Sequence, residues 1–190
     1  MNLAPGSAAA TPAGVERLRL FFALWPDDRV RAKLAAYASA AHARTGGRIM
    51  RAEGVHVTLA FLGDVEAARL EPLLATAASI AFRPFDWMLD EVGFWKHNRI
   101  AWVGASVVPP QLADLVADLR GALQAGGFAF DAKAFVPHAT LIRKGATPQA
   151  LPTLAPIPWR VTRFVLVKSI LAEAGSRYEI AGSWPADPRA

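Results

Sequence analysis

The chain has 190 residues, contains no cysteine, carries a formal net charge of +5 and is 53% hydrophobic. This length suits one compact domain, the hydrophobic content excludes a disordered chain, and the lack of cysteine excludes disulfide and thiolate chemistry. No segment reaches the roughly 20 apolar residues of a membrane helix, and residues 1–16 do not resemble a secretory signal, so we expect a cytoplasmic protein that does not contact a membrane.

The first half of the chain is predicted to alternate strands with helices. Residues 18–25 form an apolar run that predicts a buried strand ending at Pro26. A helix is then predicted from Pro26 to the Gly46-Gly47 pair. Residues 55–61 predict a strand that Gly63-Asp64 ends, and residues 66–80 predict a second helix. Alternation in this strand predicts a core face of Val57, Leu59 and Phe61 and an opposite face of His56, Thr58 and Ala60.

The second half is predicted to contain more strands and one helix. Two strands, over residues 85–94 and 99–105, are joined by a polar Lys96-His97-Asn98 turn. A helix follows from Pro109-Pro110 to Gly126-Gly127, and strands are predicted near residue 138 and over residues 159–171 and 178–181. Helices interleaved with hairpins indicate an α+β fold with mainly antiparallel sheets.

One four-residue pattern occurs twice, as His56-Val57-Thr58-Leu59 and as His138-Ala139-Thr140-Leu141, 82 positions apart. In a strand the residues at i and i+2 point to the same face, so each copy presents one imidazole and one hydroxyl together. Two such strands side by side would surround one point with two proton-transfer groups and two neutral hydrogen-bond donors. That set of groups suits a phosphate.

The same offset relates the two long predicted helices. Their apolar positions correspond one for one: Val30, Leu34, Tyr37 and Ala41 in the first, and Leu112, Val116, Leu119 and Leu123 in the second. We interpret the chain as two similar halves facing one another across a cleft, although short amphipathic matches also arise by coincidence. The expected organisation is one bilobed, pseudo-twofold domain over residues 17–184, with tails at residues 1–16 and 185–190.

Other chemistries have little support in the sequence. A GxxxxGK[ST] phosphate-binding loop, a GxGxxG loop and an HExxH motif are all absent, and Asp64 and Asp131 are isolated acids. We therefore expect neither a metal nor a cofactor. Of the remaining histidines, His42 is predicted to lie on the helix surface and His97 in a turn, where contact with a substrate is a minor alternative.

Several longer segments carry a family resemblance: RLFFALWPDD, GVHVTLAFLGDV, GFWKHNRIAWVG, FVPHATLIRK and FVLVKSILAEAGSRYEI. With these segments the chain resembles the RNA 2′,3′-cyclic phosphodiesterase family, formerly called 2′-5′ RNA ligases, in the two-histidine phosphoesterase superfamily. The resemblance covers residues 19–184. It implies a bilobed fold with both motifs lining the cleft, and metal-independent opening of a 2′,3′-cyclic phosphate at an RNA end to leave a 2′-phosphate.

The resemblance also assigns roles to residues. His138 would be the proton acceptor and His56 the proton donor, while Thr58 and Thr140 would bind the non-bridging phosphate oxygens. Arg143 would contact the nucleotide, although it lies five residues beyond His138 and strand alternation turns it away unless the strand ends or bulges first.

Three alternatives stay open, namely an RNA-end binding module without catalysis, a related enzyme acting on 2′-5′ oligonucleotides or a small cyclic phosphate, and the reverse 2′-5′ joining reaction. The net positive charge favours an RNA partner only weakly because the basic residues are scattered. We expect a monomer.

Overall fold

The computed structural model describes residues 15–170 and 176–185 and confirms the α+β class. The described helices and strands, in chain order, are β1 (Arg17–Leu24), α1 (Asp28–Thr45), β2 (Arg48–Ile49), β3 (Val57–Glu66), α2 (Leu70–Ala78), β4 (Phe85–Leu89), β5 (Glu91–Trp95), β6 (Ile100–Gly104), α3 (Pro110–Ala125), β7 (Ala139–Arg143), β8 (Ile157–Val161), β9 (Arg163–Ile170) and β10 (Arg177–Pro185), with 3-10 turns at Ala52–Gly54 and Ala67–Arg69. Of the predicted tails at residues 1–16 and 185–190, residues 1–14 and 186–190 lie outside the described residues, residues 15 and 16 precede β1, and Pro185 is the last residue of β10. None of the described helices combines the length and apolar character of a membrane span.

Two antiparallel sheets form the framework. The larger sheet has eight strands, in the order β10-β9-β1-β3-β7-β6-β5 with β2 beside β7, and the smaller sheet pairs β4 with β8. The larger sheet consists of two lobes: β10-β9-β1-β3, and β7-β6-β5 with β2. The lobes meet where Val57 of β3 pairs with Ala139 of β7. We call this junction the seam. Because His56 and His138 immediately precede these two residues, the seam brings the two motifs side by side.

The predicted internal repeat is present as strand, helix and strand. β1, α1 and β3 correspond to β6, α3 and β7 at the offset of 82 residues. The helices are exchanged between the lobes, since α1 lies against β7 and β6 whereas α3 lies against β3. Each helix therefore covers the histidine strand of the other half with its apolar face, which ties the two lobes to a common core.

The ends of the long helices follow from local chemistry. Asp27 is the N-cap of α1, and its Oδ1 accepts a hydrogen bond of 2.8 Å from the backbone N–H of Val30. The helix ends at Gly46, which has a φ of 56°, a value that glycine adopts without strain. In α3, Pro110 occupies the first turn, where its missing N–H costs no hydrogen bond. Both predicted helices are confirmed to within a residue or two at each end.

Two predicted long strands are wrong in the same way. Residues 85–94 form β4 and β5, and residues 159–170 form β8 and β9, with each pair divided between the two sheets; Leu171 lies outside the described residues. Between β4 and β5 the chain bends at Asp90, whose carboxylate accepts hydrogen bonds of 2.8 Å from Ser106 N and Oγ. A local strand pattern does not reveal such a change of sheet, because it carries no information on which strands will lie alongside. The second predicted helix is shorter than expected, over Leu70–Ala78 after a 3-10 turn, and the last strand is longer, over Arg177–Pro185.

The predicted faces of β3 also need correction. The strand continues past Gly63, which pairs with Leu20 at a φ of 70°, so the expected break at Gly63-Asp64 is wrong. Register shifts against β1 leave Leu59 and Leu62 as extra residues, and each bulge reverses the alternation of side chains. As a result Ala60 is buried in the core, and Phe61 faces the same cavity as His56.

Candidate active site

The seam opens into a cavity of about 250 Å³ that contains both copies of the motif. Its walls include the two histidines, the two threonines and Arg143, and it is completed by Met50, Gly54, Trp95, Asn98 and Ile100. A second cavity of about 290 Å³ shares Met50, His56, Thr58 and Arg143 with the first. We call the two together the cleft. The structure thus places all five predicted site residues around one cleft.

The two imidazoles have the same local geometry. His56 Nδ1 lies 2.7 Å from the carbonyl oxygen of Gly54, and His138 Nδ1 lies 2.7 Å from that of Val136. Each Nδ1–H donates to the carbonyl two residues earlier, which fixes the tautomer and leaves Nε2 as the nitrogen available for proton transfer. The two copies of the motif therefore each present one histidine in the same tautomer, with Nε2 available for proton transfer.

Aromatic rings surround the His56 side chain. Trp25 stacks almost parallel to it, with ring centroids 5.5 Å apart and an interplanar angle of 4°. Phe21 lies 4.7 Å away, and Tyr178 approaches edge-on at 5.2 Å. On the other lobe Trp95 meets His138 edge-on at 4.4 Å. These aromatic neighbours restrain both imidazoles, and sequence reasoning missed them, because a local richness in aromatic residues is the only signal that they leave in the chain.

Burial governs the protonation of both histidines. It lowers the pKa of His56 to about 4; the hydrogen bond to Gly54 opposes this shift, while the nearby charges of Arg143 and His138 add to it. The pKa of His138 is also lowered, by burial first and then by the Arg143 charge, against the opposing bond to Val136. Both imidazoles are therefore neutral at pH 7 when the cleft is empty.

A bulge explains how Arg143 reaches the cleft. Ile142 pairs with Ala101 and Thr140 with the next residue, Trp102, so Leu141 is an extra residue on β7. This reverses the alternation after Thr140 and returns Arg143 to the motif face. Leu141 is the counterpart of Leu59 in β3, where the other bulge turns Phe61 toward the cleft. Regular alternation would have turned the Arg143 side chain away from the cleft, and the bulge at Leu141 reverses this.

Positive charge lines one side of the cleft. Arg19, Arg48 and Arg143 border the second cavity, and none of the described residues in its wall is acidic. The Arg19 guanidinium lies over the Phe61 ring at 4.8 Å from the centroid. This side therefore favours an anionic ligand that also carries a flat, aromatic part.

The remaining predicted candidates lie elsewhere. His97 is exposed in the turn before β6, and His42 Nε2 lies 3.2 Å from the Gly47 carbonyl oxygen; neither borders the cleft. Asp131 pairs with Lys133 at 3.1 Å, and Asp64 lies opposite Arg19 in the sheet. Within residues 15–170 and 176–185, histidine and acidic side chains form no cluster of three that could hold a metal ion.

The cleft can bind a tetrahedral anion and move protons on two sides of it. Two hydroxyls and one guanidinium offer hydrogen bonds to anionic oxygens. Two Nε2 atoms, one from each lobe, can accept a proton from one group and give a proton to another. These groups are the ones that an in-line displacement at phosphorus requires.

Comparisons with known proteins agree with this chemistry. The family described as LigT-like phosphoesterase matches residues 24–102 and 103–178, so each matched segment holds one His-x-Thr motif. The RNA 2′,3′-cyclic phosphodiesterase of Escherichia coli K12 is 31% identical over 171 residues, covering 89% of this chain and 97% of that protein. The protein of the same name from Archaeoglobus fulgidus is 27% identical, covering 85% and 97%. The crystal structure of E. coli LigT complexed with 3′-AMP superposes with a TM-score of 0.83 at 30% identity, covering 90% of this chain and 99% of that chain.

Proposed function

The chain belongs to the LigT-like phosphoesterase family and is a hydrolase, and from this premise we propose that it opens RNA 2′,3′-cyclic phosphate ends to leave a 2′-phosphate. One observation carries the proposal: both His-x-Thr pairs and Arg143 line a single cavity. The names of its relatives and the 3′-AMP bound to a structural neighbour support RNA ends as the substrate.

Thr58, Thr140 and Arg143 bind the phosphate in this proposal. The two hydroxyls approach from opposite lobes and donate to the two non-bridging oxygens. Arg143 supplies the positive charge that balances the anion and contacts the nucleotide. As water adds to phosphorus, charge grows on these oxygens, so the donors stabilise the transition state more than the ground state.

The histidines carry the proton transfers. His138 Nε2 accepts a proton from water as the water oxygen bonds to phosphorus. The bond between phosphorus and the 3′ oxygen breaks, and His56 Nε2 gives that oxygen its proton. The product has a 3′-hydroxyl and a 2′-phosphate, and the cycle closes when His138 releases its proton to solvent. No metal takes part in these steps.

The lowered pKa values bear directly on this cycle. An empty cleft holds two neutral imidazoles, and the proton donor must be charged. We propose that His56 takes up this proton from solvent when the cyclic phosphate anion binds, because a negative charge beside His56 stabilises the imidazolium. Substrate binding then includes the uptake of one proton.

Two other outcomes share the same geometry. The joining of a cyclic phosphate to a 5′-hydroxyl uses the same acid and base in reverse, and water at high concentration favours hydrolysis. A related substrate, such as a 2′-5′ oligonucleotide or a small cyclic phosphate, would also place its phosphorus at the seam. A binding module without turnover is disfavoured because both imidazoles have an available Nε2.

Phosphorus NMR tests the proposal directly. The protein is incubated with EDTA and a nucleoside 2′,3′-cyclic phosphate, beside His56→Ala, His138→Ala and the exposed control His97→Ala. We expect a 2′-phosphate from the wild type and the control, and no product from the two cleft variants, with unchanged circular dichroism in all four. Activity in both cleft variants would refute the mechanism, and activity lost with EDTA would refute metal independence.

A cytoplasmic location and a monomeric state complete the proposal. A chain without cysteine suits a reducing compartment. Light scattering of the purified protein at working concentration tests the monomer, and a mass of twice 20.4 kDa would refute it.

A further inference from the structure

A cavity of about 440 Å³ lies outside the cleft, where the start of α1 meets the turn between β8 and β9. Its walls are Trp25, Asp27, Pro84, Trp159, Arg160, Thr162 and Arg163. We call it the outer cavity. Its volume falls in the range of ordinary small-molecule sites, and no step of the proposed reaction uses it.

The outer cavity combines flat aromatic surface with positive charge. Trp25 is partly exposed here, whereas Trp159 is 3% exposed and is supported from behind by Trp87, with ring centroids 5.8 Å apart. Because the Trp159 ring is almost fully buried, the exposed part of Trp25 supplies the stacking surface, at a small cost in conformational entropy. A planar ligand fits this wall better than a flexible apolar one.

The charged groups divide into paired and unpaired ones. Arg160 is held by Asp86 at 2.9 Å. Arg163 is exposed and forms no ion pair with any described residue, and the exposed hydroxyl of Thr162 lies next to it in the chain. A guanidinium beside a hydroxyl can bind a phosphate group.

Asp27 adds a hydrogen-bond acceptor to the wall of the outer cavity. Its Oδ1 caps α1 through Val30 N, while Oδ2 receives no hydrogen bond from a described residue. A carboxylate oxygen can accept from a ribose hydroxyl or a base amino group. The groups in this cavity therefore match the parts of one nucleotide. The indole suits the base, the carboxylate suits a ribose hydroxyl or a base amino group, and the guanidinium with the hydroxyl suits the phosphate.

We propose that the outer cavity binds a nucleotide unit, with its base against Trp25 and its phosphate at Arg163 and Thr162. This deepens the proposed function where the nucleotide is part of the RNA substrate, upstream of the cyclic end. The same chemistry also fits a free nucleotide that acts as an effector, so the test separates these two sources.

The site is coupled to catalysis through one ring. Trp25 stacks on His56 at 5.5 Å and also borders the outer cavity. A base that packs on Trp25 fixes the indole and with it the imidazole that donates the proton. Trp25 therefore lies between the outer cavity and His56, which borders the cleft.

Binding is measured first, in a way that does not need activity. Protein labelled with fluorotryptophan is titrated with 5′-AMP, and the signal of Trp159, assigned with Trp159→Phe, reports on the outer cavity because Trp159 does not border the cleft. We expect Arg163→Glu to raise the dissociation constant of AMP, read from the shift of the Trp159 signal, by about tenfold or more. The matched control is Arg17→Glu, which should behave as wild type. Arg17 is an exposed arginine at the start of β1, whereas the outer cavity lies beyond the end of that strand, at Trp25. A Trp159 signal that ignores AMP, or that responds equally in both variants, overturns the proposal.

Kinetics then identify the source of the nucleotide. For RNA with a 2′,3′-cyclic end, we expect Arg163→Glu to raise KM about fivefold to tenfold and to reduce the salt slope of log KM by about 0.7, as for one lost phosphate contact on a single strand. Hydrolysis of a cyclic mononucleotide should not change, because it has no upstream nucleotide. An altered AMP response with unchanged RNA kinetics assigns the site to a free nucleotide. If no variant hydrolyses the cyclic mononucleotide, the proposed function fails while the AMP titration still decides the outer cavity.

Discussion

Anion binding should raise the pKa of His56 by several units. In the empty cleft, burial and nearby positive charge hold this pKa near 4. The His138→Ala variant with bound uridine 2′,3′-cyclic phosphate isolates the effect, because the variant lacks the proposed base, the uracil stays neutral and the cyclic phosphate keeps one negative charge between about pH 3 and pH 8. His56 then responds to a ligand that does not titrate.

The magnitude follows from the charges. Two unit charges about 4 Å apart attract by about 4 kcal/mol at an effective dielectric constant of about 20. Since one pKa unit corresponds to about 1.4 kcal/mol, this attraction raises the pKa by about 3 units. The expected value in the complex is therefore near 7, which allows His56 to carry a proton at neutral pH.

The same shift determines how affinity depends on pH. The complex binds a proton that the free protein lacks between about pH 7 and about pH 4. Affinity for the cyclic nucleotide should rise as the pH falls through this window, by up to about tenfold per unit, and should be constant outside it.

Proton NMR of the imidazole Cε1–H signals provides the assay. His56→Ala in the same background assigns the signal, and the titration is recorded with and without ligand. If the pKa of His56 stays near 4 in the complex, His56 cannot be the proton donor, and the two histidines must exchange roles.

Three further predictions concern the cleft and the fold. Thr58→Val and Thr140→Val keep the side-chain volume and remove the hydroxyl, so each should lower kcat about 100-fold in steady-state assays, and normal turnover in both would contradict phosphate binding. Arg143→Gln should raise KM and also raise the pKa of His56 in the free protein, measured by NMR; an unchanged pKa would mean that the Arg143 charge does not reach the imidazole. Because the unfolded chain binds this proton near pH 6.5 and the folded chain only near 4, the free energy of unfolding should fall by about 3 kcal/mol as the pH falls between these values. Urea denaturation checks this, with the slope reduced in His56→Gln and retained in the control His97→Gln.

Local sequence patterns were enough to predict both long helices, the internal repeat and the shared strand face of each His-x-Thr pair. Helix ends depend on nearby residues, such as Asp27 at the start of α1 and Gly46 at its end. Residues two apart in a strand share a face, so strand geometry alone pairs His56 with Thr58 and His138 with Thr140. The segments around these motifs were also sufficient for the family, which the comparisons confirm.

Irregularities in the sheet were beyond the reach of the sequence. The extra residues Leu59 and Leu141 look like ordinary apolar strand residues, and their unpaired positions depend on the neighbouring strands β1 and β6. These bulges decide that Phe61 and Arg143 face the cleft, against simple alternation. The change of sheet at Asp90 was missed for the same reason, since it depends on the pairing of β4 with β8 and of β5 with β6.

The sequence by itself therefore determined the chemical groups, because a motif is a local property of the chain. The tertiary structure decided their environment: the seam at Val57 and Ala139 that joins the motifs, and the exchange of α1 and α3 between lobes. It also decided the packing of Trp25 and Tyr178 around His56. Burial of an imidazole depends on side chains far apart in sequence, so the pKa of His56 is a property of the folded chain and not of its motif.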